Sequence, residues 1–390
     1  MSVHFIDSDT DLTRICEPLS EAPRLAIDLE FDRNFYRYGF NLCLMQIYDG
    51  QSCYLIDPLN RQLTIENIFP VIENPEIEKV TFAFGEDLRL LHSMGCFPRN
   101  IFDLDIATSL LNYPPSSLDT LLDEILGIDT EASSQRSNWF KRPLTSKQKR
   151  YAARDVLHLL DLQSHLLAEA EQKKISHWIE QENQVWDTLD YSDEDHNGAI
   201  REKDKKNLSE REWHIYKGLI TIREEIAKSY NKPGFQIIPN KILKKIACNI
   251  HLADNFTEMN NIFRKIKTRK YRDKIKEVIA SRVKEANELG LSNDKPAQKP
   301  LSKEEYRALQ QKKNNVNRFK NRLFKPVKEK LNEEYGEQAT TFMFSNRIIE
   351  QIVDGDVSEL REYKIDLLKS ASKDLNIDWN VLEELLPDQN

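Results

Sequence analysis

The sequence predicts an α/β domain, in which a mixed sheet is flanked by helices, followed by all-helical domains. Strand-like segments occur only within about the first 120 residues. Asp49-Gly50, a strong hairpin signal, lies between two of them. Further along the chain, apolar residues recur at helical spacing. A chain of 390 residues also exceeds one ordinary domain, so two to three domains are expected.

The predicted strands are short segments in which apolar and polar residues alternate or apolar residues run together. They are residues 25–31, 42–48, 53–57 and 79–84, with a helical stretch at residues 65–72. Three strands in hairpin order, followed by a helix and a strand, are typical of a mixed sheet.

Capping boxes, in which Gln or Glu follows a Ser or Thr by three residues, indicate three helix starts. They are Thr145 with Gln148, Ser209 with Glu212, and Ser302 with Glu305. Asp103 precedes an apolar helical stretch, residues 106–111, so we interpret it as a helix N-cap. The alternative is that Asp103 is a further acid of the functional site.

The predicted domains are an α/β domain at residues 1–175, a helical domain at 208–289 and a C-terminal helical domain at 301–390. Residues 176–207 are predicted to hold a helix and an acidic linker, and residues 290–300 a second linker. Both linkers are rich in polar and turn-forming residues.

The composition excludes several classes of protein. No segment approaches the roughly 18 consecutive apolar residues of a membrane helix. Residues 1–11 have neither a basic flank nor an apolar core, so no signal peptide is predicted and we expect a soluble, cytoplasmic protein. Five cysteines without CxxC spacing predict reduced, buried thiols and argue against a zinc site.

The charge is distributed unevenly along the chain. The net charge is −8, yet residues 262–330 contain 22 lysines and arginines against 8 acids. The remainder contains 34 basic and 56 acidic residues. A basic segment behind an acidic body indicates a polyanionic partner. A solvated set of charged helices explains the charge equally well.

Four carboxylates and one tyrosine are the candidate catalytic residues. Asp28 and Glu30 lie two residues apart on a predicted strand, so both side chains leave the same face. Tyr151 and Asp155 lie four residues apart on a predicted helix and also share a face. Asp87 follows the last predicted strand at the start of a helix.

If the fold brings these four carboxylates together, they form an oxygen-rich site suited to Mg²⁺ or Mn²⁺. Two such ions about 4 Å apart activate a water and stabilise the leaving oxygen of a phosphodiester. A tyrosine hydroxyl beside them can orient that water. Each element alone has an ordinary alternative, because acids on a strand are usually solvated and an acid at a helix start is favoured by the helix dipole.

The segments that contain these residues resemble ribonuclease D, a family of 3′→5′ exonucleases with an Asp-Glu-Asp-Asp site on a ribonuclease H-like fold. The segments are RLAIDLEFDR (24–33), KVTFAFGEDLRLLHSMG (79–95), NIFDLDIATSLL (100–111) and SNWFKRPLTSKQKRYAARDVLHLLDL (137–162). The resemblance covers most of residues 1–170. It implies that Asp28, Glu30, Asp87 and Asp155 bind two Mg²⁺ or Mn²⁺ ions and that Tyr151 orients the water.

Two positions depart from the family pattern. Phe82 begins the stretch Phe-Ala-Phe-Gly where the family commonly has His-Ala-Gly, and Ala132 stands where a basic residue is common. Neither position is a metal ligand, so we expect these departures to affect how the substrate is bound, and not how the metal is bound.

Candidate nucleic-acid contacts lie in two places. Trp139 could stack on a base while Lys141 and Arg142 neutralise phosphates; the alternative is a Trp packed beneath the Pro143 turn. Residues 264–276 interleave basic and apolar residues, which suits phosphate contacts or the polar face of a packed helix. The candidates within it are Arg264, Lys267, Arg269 and Lys270.

The helical half contains a second resemblance. Residues 208–247 are similar to the small helical domain shared by ribonuclease D and RecQ-type helicases, called HRDC, through IYKGLITIREEIA (215–227). Residues 340–375 are more faintly similar to a second such domain. A plain helical bundle that braces the nuclease is the alternative.

The resemblance implies that the chain hydrolyses single-stranded RNA from the 3′ end and releases nucleoside 5′-monophosphates, with transfer RNA precursors as a family-level substrate. A DNA 3′→5′ exonuclease would use the same site, because only contacts to the 2′-hydroxyl separate the two substrates. A catalytically silent nucleic-acid-binding protein on a nuclease fold is the other alternative. The presence of all five site residues argues against it.

Overall fold

The computed structural model describes residues 2–129, 134–192, 200–295, 303–354, 356–357 and 360–377. The chain divides into two compact units. The first comprises Met1–Glu30, Leu44–Tyr191 and Leu301–Asn390, and the second comprises Phe31–Cys43 and Ser192–Pro300. The first unit thus combines most of the sheet with the C-terminal helices. The second unit combines a segment between two strands of the sheet with the helices in the middle of the chain. The domain boundaries taken from the sequence stay a prediction.

A six-stranded mixed sheet organises the first half of the chain. Its strands are β1 (Ser2–Ile6), β2 (Arg24–Arg33), β3 (Phe40–Tyr48), β4 (Ser52–Ile56), β5 (Glu78–Thr81) and β6 (Ile101–Asp103). Their order is β1-β4-β3-β2-β5-β6. β3 and β4 are antiparallel, whereas β4 with β1, β2 with β5 and β5 with β6 are parallel. The mixed sheet predicted from the sequence is confirmed.

Two strands were not predicted, and one ends early. β1 is a mostly exposed strand of five residues at the edge of the sheet, and β6 has only three residues. β5 ends at Thr81, although the sequence predicts a strand as far as Phe84. The chain turns there because Ala83 adopts a left-handed backbone with φ of 55°.

Eight helices of the first unit flank the sheet. They are α1 (Asp9–Glu21), α2 (Phe69–Glu73), α3 (Gly85–Ser93), α4 (Leu104–Leu110), α5 (Leu118–Leu126), α6 (Ser146–Leu157), α7 (Leu159–Gln172) and α8 (Ser176–Asn183). The helical stretch predicted at residues 65–72 is a 3₁₀ turn, Ile65–Ile68, followed by α2. A second 3₁₀ turn, Gln184–Thr188, follows α8.

The second unit is a helical bundle. Its helices are α9 (Glu210–Tyr230), α10 (Gly234–Ile237), α11 (Asn240–Cys248) and α12 (Arg269–Glu288), joined by 3₁₀ turns at Ile250–Glu258 and Arg264–Ile266. Tyr216, Leu219, Phe256 and Ile275 are fully buried in its core. Tyr38, from the segment between β2 and β3, packs against the same core. Burying these faces is what stabilises helices of this length.

The C-terminal helices belong to the first unit. They are α13 (Lys303–Phe319), α14 (Lys325–Tyr335), α15 (Glu337–Met343), α16 (Asn346–Val353) and α17 (Glu362–Asp374), with a π turn, Lys320–Phe324, between α13 and α14. α15 packs against α4, and α14 packs against α17.

The capping boxes at Thr145 and Ser209 are confirmed. In each, the hydroxyl accepts a backbone N–H three residues on, and the Gln or Glu at that position accepts the backbone N–H of the cap. Ser302 lies outside the described residues. All five cysteines lie within the described residues and none forms a disulfide; Cys43, Cys53 and Cys96 are buried. Cys248 is exposed, which corrects the expectation that all the thiols are buried.

Membrane crossing requires long apolar helices. Among the described residues, no helix combines the necessary length and apolarity.

A buried carboxylate joins α8 to the C-terminal helices. Glu182 accepts a hydrogen bond from the Tyr363 hydroxyl at 2.6 Å and forms an ion pair with Lys364 at 2.8 Å. All three side chains are buried. Trp178, one turn earlier on α8, stacks on Tyr363 with ring centroids 5.0 Å apart. Removing one member of a buried ion pair leaves the charge of the other uncompensated, which destabilises a protein. The contact therefore stabilises the first unit only when both charged side chains are present.

We therefore expect Glu182→Leu to destabilise the protein by about 3 kcal/mol, since it removes the carboxylate to which the buried Lys364 ammonium and Tyr363 hydroxyl are bound. Urea unfolding followed by tryptophan fluorescence measures this change. The matched control is Glu180→Leu on the exposed face of the same helix, which should change stability by less than about 0.5 kcal/mol. Equal effects of the two substitutions would show that the pair contributes nothing.

Candidate active site

β2 presents two acids on one face. Asp28 is half-buried and Glu30 is 6% exposed, while Ile27 and Leu29 on the opposite face are buried. This is the alternation that the sequence predicts. It follows from the two-residue repeat of a strand, in which one set of side chains fills the core and the other lines the site.

α6 supplies the partners of these acids. The capping box at Thr145 begins the helix, so that Tyr151 and Asp155 come to lie on one face. Carboxylate oxygens of Asp28, Glu30 and Asp155 all lie within 4.8 Å of one another. The Tyr151 hydroxyl is hydrogen-bonded to Asp155. The structure therefore brings together a strand and a helix more than 100 residues apart.

Asp87 is the fourth acid, in the first turn of α3. It is outside the group of three carboxylates, but it lies close enough for the charge of Asp28 to raise its pKa. Asp87 is buried, and within the described structure its Oδ1 has no hydrogen-bond partner. A buried carboxylate oxygen without a donor is costly unless something absent from the protein chain satisfies it.

Burial dominates the electrostatics of this cluster. It raises the pKa of Asp28 to about 7, and together with the charge of Asp28 it raises the pKa of Asp155 to about 9. Burial, followed by the charges of the other three acids, holds the pKa of Glu30 well above its usual range. Burial, followed by the charges of Asp28, Asp103 and Glu86, raises the pKa of Asp87 well above its usual range. Mutually repelling buried acids of this kind are the donor set that a hard divalent cation prefers.

The turn before α3 is held by Asp103. Its carboxylate accepts the backbone N–H groups of Ala83 and Phe84 at 2.8 and 3.0 Å, in addition to that of Asp105 at 3.0 Å. The N-cap role predicted for Asp103 is therefore confirmed. The sequence analysis did not find the second role, which stabilises the left-handed Ala83 and so positions the helix that carries Asp87. An Asp at the end of a short apolar strand was the only local indication.

Trp139 and Arg142 require a correction. Trp139 is 3% exposed, its Nε1 donates to the Gln135 carbonyl, and its ring lies 6.2 Å from that of Tyr151. A buried ring cannot stack on a base, so the interpretation of Trp139 as a stacking residue was wrong. Arg142 forms a bidentate ion pair with Asp57 and is therefore committed within the protein. Lys141 remains exposed.

The basic candidates of the second unit lie on its surface. Arg264, Arg269 and Lys270 are exposed and Lys267 is half-buried. Arg269 approaches Asp273 at 3.6 Å, an exposed pair that restrains it little. Phosphate contacts by these four side chains stay a prediction. Residues 130–133, which include Ala132, lie outside the described residues.

Comparison with known proteins agrees with this geometry. Residues 3–171 match the model of a family described as 3′-5′ exonuclease. A ribonuclease D from Bartonella henselae is 30% identical over 244 residues, which cover 62% of this chain and 60% of that protein. The resemblance to ribonuclease D is confirmed. A ribonuclease D from Pseudomonas paraeruginosa is 32% identical over 253 residues, 63% of this chain and 65% of the relative.

The matched region thus spans less than two thirds of the length of these ribonuclease D relatives. The structural similarity covers more of the chain than the sequence similarity does. The crystal structure of Escherichia coli RNase D, described as an exoribonuclease involved in structured RNA processing, superposes with a TM-score of 0.68 at 21% identity. The superposition covers 95% of this chain and 99% of that one. The fold class, an exonuclease domain with a mixed sheet followed by a helical region, is confirmed.

Proposed function

We propose that this chain is a metal-dependent 3′→5′ exoribonuclease that releases nucleoside 5′-monophosphates from the 3′ ends of single-stranded RNA. The observation that supports it most strongly is that the carboxylates of Asp28, Glu30 and Asp155 lie within 4.8 Å of one another. The Tyr151 hydroxyl is hydrogen-bonded to the Asp155 carboxylate. This group lies within the segment that matches 3′-5′ exonucleases. The ribonuclease D relatives favour RNA as the substrate.

The donor set fits divalent cations. All the donors are carboxylate oxygens, and the unsatisfied Oδ1 of Asp87 is a further ligand available to a cation. Asp28, Glu30, Asp87 and Asp155 would hold Mg²⁺ or Mn²⁺. When bound, such ions lower the pKa of a water and neutralise charge on the phosphate and the leaving 3′-oxygen.

Side chains of the protein would orient the attacking water and hold the metal ligands in position. In this proposal the hydroxyl of Tyr151, held by its hydrogen bond to Asp155, directs the attacking water. Asp103 keeps α3, and with it Asp87, in position. Lys141 of the first unit would contact phosphates. So would the basic residues Arg264, Lys267, Arg269 and Lys270 of the helical domain that we propose to be HRDC-like. Transfer RNA precursors are the proposed natural substrates.

The direct test is degradation of a 5′-labelled single-stranded RNA with Mg²⁺ or Mn²⁺, with EDTA and a matched DNA alongside. A ladder that shortens from the 3′ end, and disappears with EDTA, is expected. Equal degradation of RNA and DNA would contradict the preference for RNA. No shortening of either strand with any divalent cation would contradict the enzymatic function and leave a binding protein.

Tyr151→Phe is expected to lower kcat by about 100-fold, because it removes the hydroxyl that orients the water and leaves the carboxylates in place. Since the same hydroxyl lowers the pKa of Asp155, the pH optimum should also move upwards. Single-turnover rates across a pH series measure both effects. Tyr113→Phe is the control, because the Tyr113 hydroxyl donates to Glu169, which is not part of the site. Loss of activity in both variants alike would exclude a specific role for Tyr151.

A further inference from the structure

The ring of Tyr151 is in contact with two other side chains of the first unit. The Trp139 ring lies 6.2 Å away between centroids, with the two planes at 39°. The guanidinium carbon of Arg154 lies 5.8 Å from the Tyr151 centroid. The hydrogen bond to Asp155 fixes the end of the Tyr151 side chain. The direction of its ring depends in addition on the groups packed beside it.

Trp139 is held by hydrogen bonds at both its ring and its backbone. The ring is buried, and its Nε1 donates to the Gln135 carbonyl at 3.3 Å. The backbone carbonyl of Trp139 accepts a hydrogen bond from Arg142 Nη1 at 2.6 Å. The side-chain amide of Gln148, in the first turn of α6, donates to the Ser137 hydroxyl at 3.3 Å. The position of the Trp139 ring is therefore set by the loop before α6.

An ion pair joins this loop to the sheet. Asp57 follows β4, and its carboxylate binds Nε and Nη2 of Arg142 at 2.5 and 2.7 Å. Asp57 is buried, and the Arg142 side chain is 24% exposed. A bidentate pair of this kind fixes the plane of the guanidinium, and the same guanidinium bonds the Trp139 carbonyl. A series of contacts thus leads from the end of β4, through Asp57, Arg142 and Trp139, to the ring of Tyr151.

We propose that Asp57, Arg142 and Trp139, together called the Trp139 cluster, are positioning residues that fix the orientation of the Tyr151 side chain. The proposal rests on the proposed function, in which the Tyr151 hydroxyl directs the attacking water. The Trp139 cluster includes none of the four carboxylates proposed to bind metal, so it would act on the reaction through Tyr151. Displacement of an orienting group by about 1 Å can cost a reaction about 100-fold in rate.

A double-mutant cycle distinguishes this role from simple support of the loop. Single-turnover rates on 5′-labelled single-stranded RNA with Mg²⁺ are measured for Asp57→Asn, Arg142→Lys and Trp139→Phe, each alone and combined with Tyr151→Phe. Each substitution alone is expected to lower the rate about tenfold. Combined with Tyr151→Phe, it should cause no further loss, because the hydroxyl that it positions is gone. The same loss with and without the Tyr151 hydroxyl would overturn the proposal, and so would unchanged rates in all three variants.

The matched control is Glu182→Gln, which weakens another buried ion pair of the first unit, that with Lys364. Any loss of rate in this variant should be the same with and without the Tyr151 hydroxyl. Thermal melting shows which variants fold. If Asp57→Asn melts below the assay temperature, Trp139→Phe replaces it in the cycle, because this substitution keeps an aromatic ring and leaves the ion pair intact.

A second measurement requires no turnover. The full chain is labelled with 3-fluorotyrosine at its 13 tyrosines and studied by fluorine NMR in EDTA. The signal that is missing from Tyr151→Phe belongs to Tyr151. Asp57→Asn and Trp139→Phe should shift or broaden this signal, because the neighbouring ring moves, whereas Glu182→Gln should leave it unchanged. A Tyr151 signal that is the same in the wild type, Asp57→Asn and Trp139→Phe would overturn the proposal.

These outcomes are separable from failure of the proposed function. A wild type that shortens RNA, combined with an unchanged Tyr151 signal in the variants, removes the positioning role and keeps the enzyme. A wild type that never shortens RNA, combined with a Tyr151 signal that moves in Asp57→Asn and Trp139→Phe, removes the enzyme and keeps the Trp139 cluster as the group that orients Tyr151.

Discussion

Asp155→Asn is expected to lower the turnover of single-stranded RNA by about 10³-fold and, in the absence of divalent ions, to raise the melting temperature. The loss of activity corresponds to about 4 kcal/mol of transition-state stabilisation, the scale expected when a carboxylate ligand is replaced by a neutral amide. The gain in stability has a separate cause. Asp155 is buried among Asp28 and Glu30, so its ionised form repels both in the folded state.

A substitution that lowers the activity but raises the stability distinguishes a site carboxylate from an ordinary structural carboxylate. A structural acid that accepts hydrogen bonds stabilises the fold, and its replacement costs stability. The measurements are single-turnover degradation of 5′-labelled RNA with Mn²⁺ and thermal unfolding in EDTA. Asp123→Asn, on the exposed face of α5, is the matched control and should change neither quantity. An Asp155→Asn protein that is active, or that melts lower in EDTA, would contradict the proposed role.

The stability of the metal-free protein is expected to fall as the pH rises from about 5 to about 8, by roughly 5 kcal/mol for the acidic cluster. The sign follows from the pKa shifts. Burial raises the pKa of Asp28 to about 7 and that of Asp155 to about 9 in the folded state. In this interval the folded protein therefore retains protons that the unfolded chain has lost. When the folded state binds more protons, the free energy of unfolding decreases with pH.

Divalent ions should reverse this trend. They bind the ionised carboxylates of the folded chain, so they compete with protons and stabilise most where protons are scarce. Chemical unfolding at several pH values, with EDTA and with Mn²⁺, measures the difference between the two curves. Asp155→Asn should flatten the EDTA curve, because one of the retained protons is gone. Stability in EDTA that rises between pH 5 and 8, or no effect of Mn²⁺ at the higher pH, would show that the acids do not form a metal site.

Much of the candidate site could be predicted because its local geometry repeats along the chain. The two-residue spacing of Asp28 and Glu30 places them on one face of any strand, and the four-residue spacing of Tyr151 and Asp155 does the same on a helix. Local hydrogen bonding likewise made the helix starts at Thr145 and Ser209 predictable.

Other features escaped prediction because their cause lies elsewhere in the chain. The strand that ends at Thr81 looked longer, since only the distant Asp103 carboxylate stabilises the left-handed turn at Ala83. The sequence allowed a stacking role for Trp139, but its ring is buried in the folded protein. That burial depends on the packing of the loop before α6, which the local sequence does not show. β1 was not predicted from the sequence; it is a short edge strand that buries little apolar surface.

By itself, the sequence determined the fold class, the mixed sheet and the acids and tyrosine of the candidate site, because short-range periodicity and capping depend only on neighbouring residues. The tertiary structure decided which acids meet and which aromatic rings remain exposed. The meeting of Asp155 with Asp28 and the bond between Gln236 and the Phe35 carbonyl each join distant parts of the chain. The energy of such contacts depends on burial and distance, and both exist only once the chain has folded.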